Sequence, residues 1–292
     1  MKKAVITASG HDGDGREYVK VRIPGSFSVK KTFDCGQTFR FEPDGRDDRY
    51  TGIAFGKKIT FEQSEDDEVR IIGADEREFY DVWEKYLVLD IDYDEADRLI
   101  SCSLPNEKDR QVMKAAVECG KGIRILKQEP FETLISFIIS QNNNIPRIKK
   151  IVTSLCEKYG EDGAFPTPEA IYGAGVDGIF ALKTGFRAGY IIDAAEKVLS
   201  GKIDFSEIEN SDDYDYCTSK LCSIKGVGPK VSSCVLLFGF GKTEAFPIDV
   251  WMKRSIERHF SDEFDPKLFG KYAGIAQQYL FYYERWLGGG NI

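Results

Sequence analysis

The sequence predicts an α+β protein in which an N-terminal antiparallel β-sheet precedes a mainly helical body of two subdomains. Apolar and polar side chains alternate in residues 18–23, 36–43, 56–63 and 67–73, as they do in half-buried strands. From about Asp75 onward, the apolar residues recur instead at helical spacing. A short glycine-rich turn between two such helical segments completes the pattern that predicts this fold class.

The length and composition indicate two folded domains. A chain of 292 residues fits one large domain or two ordinary ones, and 42% hydrophobic residues can bury a sizeable core. We expect an N-terminal α+β domain at residues 1–100 and a helical domain at residues 101–292. No apolar run reaches the roughly 18 residues of a membrane-spanning helix, and the start of the chain lacks the apolar stretch of a signal peptide. We therefore expect a soluble cytoplasmic protein without a membrane partner.

Three helical segments are clear enough to predict individually. Residues 131–140 are apolar nearly all round, which predicts a buried central helix. The run Gln-Asn-Asn-Asn at 141–144 favours a helix end or turn, because asparagine side chains compete for main-chain hydrogen bonds. A second helix is expected after Pro146, and the last helix is expected at roughly 266–286.

The cysteine and histidine content limits the chemistry. The seven cysteines are odd in number and form no C-x-x-C pair, which indicates reduced thiols rather than a zinc site, an iron–sulfur cluster or a disulfide framework. The chain has only two histidines, which makes a histidine metal site or a histidine-activated nucleophile improbable. We expect neither metal nor cofactor, and any catalysis must depend on lysine, aspartate or glutamate.

The charge distribution is uneven. The net charge of −8 argues against nucleic-acid binding only if it is taken over the whole chain. Residues 62–97 contain fifteen acidic and three basic residues, whereas residues 221–260 contain six basic and three acidic ones. An acidic flank and a basic working face are compatible with DNA, but ordinary solvated surface charge explains the pattern equally well.

Residues 212–242 predict a helix-hairpin-helix motif, that is, two helices joined by the turn 226–229, Gly-Val-Gly-Pro. The apolar positions recur at helical spacing on both sides of this turn: Tyr214, Cys217, Leu221 and Ile224 before it, and Val231, Cys234, Val235 and Phe238 after it. Gly226 and Gly228 allow a close approach, and the free amides of the second helix suit a DNA phosphate. A plain helical hairpin inside a bundle is the alternative.

Lys230 and Asp249 are the candidate catalytic residues. Lys230 begins the second hairpin helix, where the helix dipole disfavours an ammonium ion and gives a lysine a physical reason to act as a nucleophile. Contact with a phosphate explains such a lysine equally well. Asp249 follows Pro247 and Ile248 and precedes a helical segment, so that it is also a natural N-cap. The combination of hairpin, lysine and aspartate favours the catalytic interpretation.

The segment from Gly226 to Val250 resembles the helix-hairpin-helix DNA glycosylases. The lysine at 230 is similar to that of the bifunctional members, which cleave both the base and the strand. Segments along most of the chain are similar to the 8-oxoguanine DNA glycosylase family, in that family's order: CGQTFRF at 35–41, ISQNNNIPRI at 139–148, GFRAGYI at 185–191, the hairpin, and AQQYLF at 276–281. Because the chain lacks cysteines beyond Cys234, it departs from the endonuclease III type with its iron–sulfur cluster.

This resemblance implies a role for each matching residue in excising the oxidised base. Lys230 attacks C1′ of the flipped nucleotide, and Asp249 positions the amine and stabilises positive charge on the sugar. The carbonyl of Gly36 accepts the N7–H that only the oxidised purine carries. The remaining base contacts are a sandwich by Cys234 and Phe281 and a hydrogen bond from Gln277 to the Watson–Crick edge.

The resemblance also implies contacts to the DNA around the lesion. The unpaired cytosine opposite the lesion is contacted by Asn142, Arg147 and Arg187. Phe186 fills the gap left by the flipped base or inserts into the base stack. Trp251 stands where animal relatives have a histidine that touches a phosphate, so the resemblance does not imply that contact here. The expected partner is double-stranded DNA containing 8-oxoguanine, bound by a monomer working at the bacterial nucleoid.

Three other functions remain open at this point. The chain could be a glycosylase for another lesion on the same fold, which Gly36 argues against. It could be a monofunctional glycosylase for alkylated bases, which would need no lysine at position 230. It could also be a non-catalytic helix-hairpin-helix module, in which Lys230 and Asp249 are structural.

Overall fold

The computed structural model describes residues 3–287 and contains one six-stranded sheet. Its antiparallel pairs include β1 with β2, β2 with β6, β5 with β6 and β3 with β4. The spatial order of the strands is β1-β2-β6-β5-β4-β3. The strands are β1 (Val5–His11), β2 (Glu17–Arg22), β3 (Phe41–Pro43), β4 (Arg49–Ala54), β5 (Lys57–Glu65) and β6 (Glu68–Ile72).

Helices make up most of the remaining described chain. The α-helices are α1 (Val29–Asp34), α2 (Glu76–Glu78), α3 (Glu84–Tyr86), α4 (Tyr93–Ile100), α5 (Glu107–Gly120), α6 (Pro130–Ser140), α7 (Ile145–Tyr159), α8 (Pro168–Ile179), α9 (Ala188–Leu199), α10 (Phe205–Asn210), α11 (Tyr214–Cys222), α12 (Pro229–Phe240), α13 (Val250–His259) and α14 (Ala273–Leu287). π-helical turns lie at Phe79–Trp83 and Phe180–Thr184, and 3-10 turns lie at Gly185–Arg187 and Pro266–Tyr272. None of the helices between residues 3 and 287 is long and apolar enough to cross a membrane.

The chain divides into two compact units. The first unit comprises the residues up to Gly52, Lys58–Lys127 and the residues from Gly241 onward. Its sheet buries an aromatic cluster in which the Phe33 ring lies 4.5 Å from Phe41 and 4.8 Å from Phe61 between centroids. This packing fixes α1 against the sheet, and α1 leads directly into the segment that contains Gly36.

The second unit comprises Ile53–Lys57 and Gln128–Phe240. Its centre is α6, where every side chain from Glu132 to Ile139 is buried. Helix α12 packs on α6 closely enough that a Cβ at Gly239 would lie 3.2 Å from the Pro130 Cα. The second hairpin helix therefore rests on the buried central helix of this unit.

The predicted fold class and most of the individual elements are confirmed. The N-terminal antiparallel sheet, the mainly helical body and the buried helix at 131–140 are all present. Gln141 ends α6, Asn142 has a positive φ of 49°, and Asn144 caps α7, as the run of amide residues predicted.

Three predicted elements were wrong in extent. Only Phe41–Pro43 of the strand expected at 36–43 is extended, because Gly36 has a φ of 79° and breaks the segment. The last α-helix begins at Ala273 rather than at about 266, because residues 266–272 form a 3-10 turn interrupted at Gly270. Helix α7 begins at Ile145, so that Pro146 lies in its first turn and does not precede it.

Candidate active site

The helix-hairpin-helix motif consists of α11, a turn at 223–228 and α12. Gly226 has a φ of 79°, and a Cβ on it would lie 2.1 Å from a carbon of the Tyr190 ring. Only glycine fits under this ring. A Cβ on Gly228 would meet no atom within 4 Å. The turn is therefore tightly packed at its first glycine and open at its second, where a DNA phosphate could approach the main chain.

Asp193 of α9 holds the hairpin turn from the side. Its carboxylate accepts hydrogen bonds from the main-chain N–H of Lys225 at 2.7 Å and from Lys197 Nζ at 2.7 Å. Burial alone would raise the pKa of Asp193, but these bonds outweigh it and the pKa is lowered. Lys197 also donates to the carbonyl of Ser223 at 2.7 Å. The turn is therefore attached to a neighbouring helix and does not depend only on its own helices.

Lys230 lies in the first turn of α12 and is half-buried. Its Nζ lies 5.3 Å from the centroid of the Phe137 ring, and that ring is stacked on Phe238 with a centroid distance of 5.5 Å. Cys234 follows one helical turn later, on the same face of α12, and is 3% exposed. The lysine amine and the cysteine thiol predicted to share the base site therefore project from one helix face.

The residues predicted to attend the opposite base gather around the 141–144 turn. Arg187 is buried, and its Nε donates to the carbonyl of Gln141 at 2.8 Å while Nη2 donates to the carbonyl of Asn142 at 3.1 Å. Nη1 donates to the carbonyl of Thr184 at 3.1 Å. Burial and then the charge of Arg147 lower the pKa of Arg187. Its guanidinium thus serves as a clamp on this turn.

The next two residues, Phe186 before Arg187 and Arg147 in the first turn of α7, are exposed. Phe186 is 56% exposed, and the Arg187 guanidinium carbon lies 4.4 Å from its ring centroid. Arg147 is exposed and donates one long hydrogen bond, 3.3 Å, to the carbonyl of Lys183. Phe186 and Arg147 are therefore both exposed on the surface of the second unit.

In the first unit, Gly36 lies in the turn after α1. Cys35 ends the helix, and its thiol is fully buried, which raises its pKa to about 12. Gly36 is partly exposed, whereas Gln37 after it is buried. The positive φ of Gly36 favours glycine at this position, because other residues rarely adopt that backbone conformation.

Gln277 and Phe281 lie one turn apart on α14, so both side chains project from the same face of that helix. Gln277 is buried, its Oε1 accepts a hydrogen bond from Gln278 Nε2 at 3.2 Å, and Phe281 is half-buried. Arg285 on the same helix donates from Nη1 to the carbonyl of Asp34 at 2.5 Å. This bond joins the helix that carries two predicted base contacts to the turn that carries the third.

Asp249 caps α13, also in the first unit. Its Oδ1 accepts a hydrogen bond from the main-chain N–H of Met252 at 2.7 Å, which confirms the predicted N-cap. The neighbouring Trp251 is 45% exposed. The capping bond uses one carboxylate oxygen in a fixed orientation, and a catalytic role for the carboxylate is compatible with it.

The sequence analysis missed Asp193, Tyr190 and Gln37. Tyr190 and Gln37 stood inside segments that carried the resemblance, and Asp193 followed one of them by two residues. No residue pattern marks a buried side chain that binds main-chain groups of another segment, so local spacing could not have found them. The described residues contain no cluster of three or more histidine, cysteine, aspartate or glutamate side chains able to hold a metal ion, and all seven cysteines are free.

Two family models match the chain in succession. One, described as 8-oxoguanine DNA glycosylase, N-terminal domain, matches residues 20–134. The other, described as HhH-GPD superfamily base excision DNA repair protein, matches residues 135–268. An N-terminal sheet followed by a helix-hairpin-helix body is the architecture of a base-excision repair glycosylase. Within that class, the chain belongs to the 8-oxoguanine DNA glycosylase family, as the first family model and a relative that is 35% identical over its whole length show.

Solved structures are similar over nearly the whole chain. The structure of MBOgg1 in complex with a low affinity DNA ligand is 38% identical, covers 99% of this chain and 100% of its own, and has a TM-score of 0.84. The apo-form of Clostridium acetobutylicum 8-oxoguanine glycosylase/lyase is 35% identical, covers 97% of this chain and 100% of its own, and also has a TM-score of 0.84.

Among curated proteins, the N-glycosylase/DNA lyase of Saccharomyces cerevisiae is 38% identical over 159 residues, which cover 48% of this chain and 42% of that relative. Two further relatives, from Methanothermobacter thermautotrophicus and Arabidopsis thaliana, are matched over 65% and 52% of their length. The chain thus spans about half the length of the curated relatives that it matches.

Proposed function

We propose that this protein excises 8-oxoguanine from double-stranded DNA and then nicks the strand, as a bifunctional DNA glycosylase and abasic-site lyase. The observation that carries the proposal is the placement of Lys230. It lies in the first turn of α12, directly after the open glycine of the hairpin turn and beside the Phe137 ring. A non-catalytic hairpin needs a lysine only for contact with a phosphate, and that contact does not require the half-buried position beside the Phe137 ring that Lys230 occupies.

DNA binding begins at the hairpin in this proposal. The open face at Gly228 admits a phosphate to the first main-chain amides of α12, where the helix dipole also favours an anion. The resulting affinity falls as salt rises, because counterions are released from each neutralised phosphate. The relative from Clostridium acetobutylicum, which covers 97% of this chain, has been solved with double-stranded DNA containing cytosine opposite 8-oxoguanine.

The damaged nucleotide then leaves the stack, at a cost of a few kcal/mol. Phe186 has the exposure needed to occupy the hole, and Arg147 has a guanidinium that is largely free to pair with the acceptors of the orphaned cytosine. Asn142 is exposed on the same turn. The flipped base is received by Cys234 and Phe281 on its faces, by Gln277 at its Watson–Crick edge and by the Gly36 carbonyl at its N7–H.

Lys230 performs the chemistry. The neutral amine forms a bond to C1′ while the bond from C1′ to N9 of the base breaks, and the base departs with a proton. The bond between C1′ and O4′ then breaks, the remaining amine proton goes to O4′, and the opened sugar is held as a Schiff base between Lys230 and C1′. Removal of a C2′ proton then expels the 3′ phosphate by β-elimination. The Asp249 carboxylate stabilises the positive charge that develops on the sugar.

The remaining assignments follow from this function. We propose that the chain acts as a monomer, since it supplies every residue assigned a role, and that it works at the nucleoid of a bacterial cytoplasm, where its substrate is. We also propose a division by sequence into an N-terminal domain at 1–100 and a glycosylase domain at 101–292, which differs from the division of the structure into compact units. The amine supplies the nucleophile, so the reaction requires neither metal nor cofactor.

The proposal is tested with duplexes containing either 8-oxoguanine or guanine opposite cytosine. We expect the wild-type protein to release the base and nick the strand only in the first duplex. We expect Lys230→Gln to bind the lesion duplex but to do neither, because the amide has no nucleophilic nitrogen. Undiminished base release by Lys230→Gln would overturn the mechanism, and equal activity on both duplexes would overturn the substrate.

A further inference from the structure

We propose that Gln37 is a positioning residue that aims the Gly36 carbonyl at the N7 proton of the oxidised base. The inference rests on the proposed function and extends it to a side chain that does not touch the base. Guanine and 8-oxoguanine differ little in shape, and at N7 the first has a lone pair where the second has an N–H. A carbonyl can use that difference only if its direction is fixed.

The Gln37 side chain makes three hydrogen bonds to main-chain groups. Its Nε2 donates to the carbonyl of Thr32 at 2.9 Å and to the carbonyl of Arg124 at 2.8 Å, and its Oε1 accepts from the main-chain N–H of Leu126 at 2.9 Å. The side chain is 1% exposed. It therefore connects the end of α1 with residues 124–126, and the peptide unit between Gly36 and Gln37 lies directly beside this connection.

Other groups complete the same connection. Thr32 Oγ1 accepts from the main-chain N–H of Arg124 at 3.1 Å, and the thiol of Cys35 donates to the Thr32 carbonyl at 3.3 Å. The hydroxyl of Tyr93 accepts from the main-chain N–H of Ile125 at 3.0 Å. The segment at 124–126 is thus itself held in place, and Gln37 ties the Gly36 turn to an anchored stretch of chain.

These hydrogen bonds restrict the backbone at Gly36, which glycine itself leaves free to move. A glycine with a φ of 79° lies in a region that other residues avoid, and its lack of a side chain leaves the turn without any packing of its own. No side chain of Gly36 can fix the direction of its carbonyl. The buried amide of the next residue supplies that constraint through bonds on both of its polar atoms, because a half-satisfied buried amide would cost free energy.

The chain offers a matched control for this proposal. Gln63 also uses its side chain to make three main-chain bonds, accepting from the N–H of Val29 at 2.8 Å and donating to the carbonyls of Phe27 at 3.1 Å and Glu65 at 2.6 Å. These bonds lie at the opposite end of α1 from Gly36. Replacing Gln63 therefore removes the same number and kind of bonds without releasing the Gly36 turn.

The experiment measures the affinity of three proteins for three duplexes. The proteins are Lys230→Gln, which we expect to bind without cleaving, and the same protein with either Gln37→Met or Gln63→Met. The duplexes contain 8-oxoguanine, its 7-deaza analogue with C–H in place of N7–H, or a stable abasic-site analogue. We expect Lys230→Gln to prefer 8-oxoguanine over the 7-deaza analogue by about tenfold, the value of one satisfied hydrogen bond. Gln37→Met should reduce this ratio nearly to one, whereas Gln63→Met should retain it.

Each other outcome has a distinct meaning. A retained ratio in Gln37→Met overturns the positioning role but leaves the proposed function intact. A ratio of one already in Lys230→Gln shows that the N7 proton is not read, and the roles of Gly36 and Gln37 then both fall. Equal loss in Gln37→Met and Gln63→Met assigns the effect to general loosening and also overturns the inference. The affinity for the abasic analogue should stay unchanged in both variants.

A second variant covers the case in which Gln37→Met does not fold. Gln37→Asn keeps a neutral amide, but its side chain is one methylene shorter and cannot keep all three bonds to the main chain of Thr32, Arg124 and Leu126. We expect this variant to have a weaker preference for 8-oxoguanine over the 7-deaza analogue than Lys230→Gln alone. An identical preference would contradict the proposal, since the lost bonds would then be without effect.

Discussion

Arg187 donates to the main-chain carbonyl of Gln141 from two of its nitrogens, Nε and Nη2. A residue predicted to read the opposite cytosine therefore donates its hydrogen bonds to the turn at 141–144. Arg147, the other arginine predicted for this role, is exposed and makes one long bond. The two arginines, which the sequence analysis treated alike, are expected to behave differently.

We predict that Arg147→Ala narrows the preference for cytosine over adenine opposite the lesion and leaves the thermal midpoint unchanged, because it removes an exposed guanidinium. Lys150→Ala, an equal loss of charge on the same helix, should leave the preference intact. Single-turnover excision from both duplexes measures this. Unaltered discrimination in Arg147→Ala would assign the preference to another residue.

Arg187→Ala should instead lower the stability of the protein. It leaves the carbonyls of Gln141, Asn142 and Thr184 without the donor that satisfies them, at a cost of about 1–3 kcal/mol for each one that stays buried and unpaired. Denaturant-induced unfolding of the variant and of the wild type measures the difference in the free energy of unfolding. A free energy of unfolding equal to that of the wild type would show that the hydrogen bonds from Arg187 to this turn do not stabilise the protein.

Substitutions at Gly226 and Gly228 are predicted to have different effects, the first on stability and the second on DNA binding. Gly226→Ala should lower the thermal midpoint, since its Cβ would overlap the Tyr190 ring, and since the left-handed backbone there strains any other residue. Gly228→Ala has open space in the free protein and should leave that midpoint unchanged. It should nevertheless reduce the affinity for undamaged DNA by about tenfold, by obstructing the phosphate.

Gly173→Ala is the control for Gly228→Ala. A Cβ on Gly173 also meets no atom within 4 Å, and this glycine lies in α8, outside the hairpin. Its DNA affinity should equal that of the wild type. If Gly228→Ala also binds DNA with wild-type affinity at low and moderate salt, the hairpin turn is not the phosphate site.

Asp249→Asn is predicted to keep the helix cap of α13 and to lose most of the excision activity. Asparagine caps helices as well as aspartate does, so the bond to the Met252 N–H and the stability should be kept. The excision rate should fall on the order of 10²-fold, because the negative charge is lost. Asp213→Asn alters the equivalent cap of α11 and should leave the rate unchanged. A near-wild-type rate in Asp249→Asn would reduce Asp249 to a structural cap.

The sequence predicted those parts of the structure that depend on local patterns. Apolar and polar residues alternate along β2 and along parts of β5 and β6, and the hairpin joins a glycine turn to two periodic helices, so both were recognisable. The segment at 36–40 was misjudged because its alternation is real, but the backbone at Gly36 turns away from the strand. Alternation of apolar and polar residues indicates which side chains are buried, but it does not show that the backbone is extended.

The site was predicted less completely than the fold. Residues of the candidate chemistry, such as Lys230 and Asp249, stand out because their type and position are unusual together. Asp193 and Gln37 were missed because they act on main-chain groups that lie 32 and 87 residues away in the sequence. Such long-range hydrogen bonds leave no periodic trace, and only the folded structure reveals them.

Identifying the residue that becomes covalently attached to DNA tests the central claim most directly. The wild-type protein is incubated with an 8-oxoguanine duplex and borohydride, which reduces the Schiff base to a stable amine. The trapped complex is then digested and analysed by mass spectrometry. The account predicts a single adduct on the Lys230 side chain and no trapping by Lys230→Gln. An adduct on any other amine, or undiminished trapping by Lys230→Gln, would contradict it.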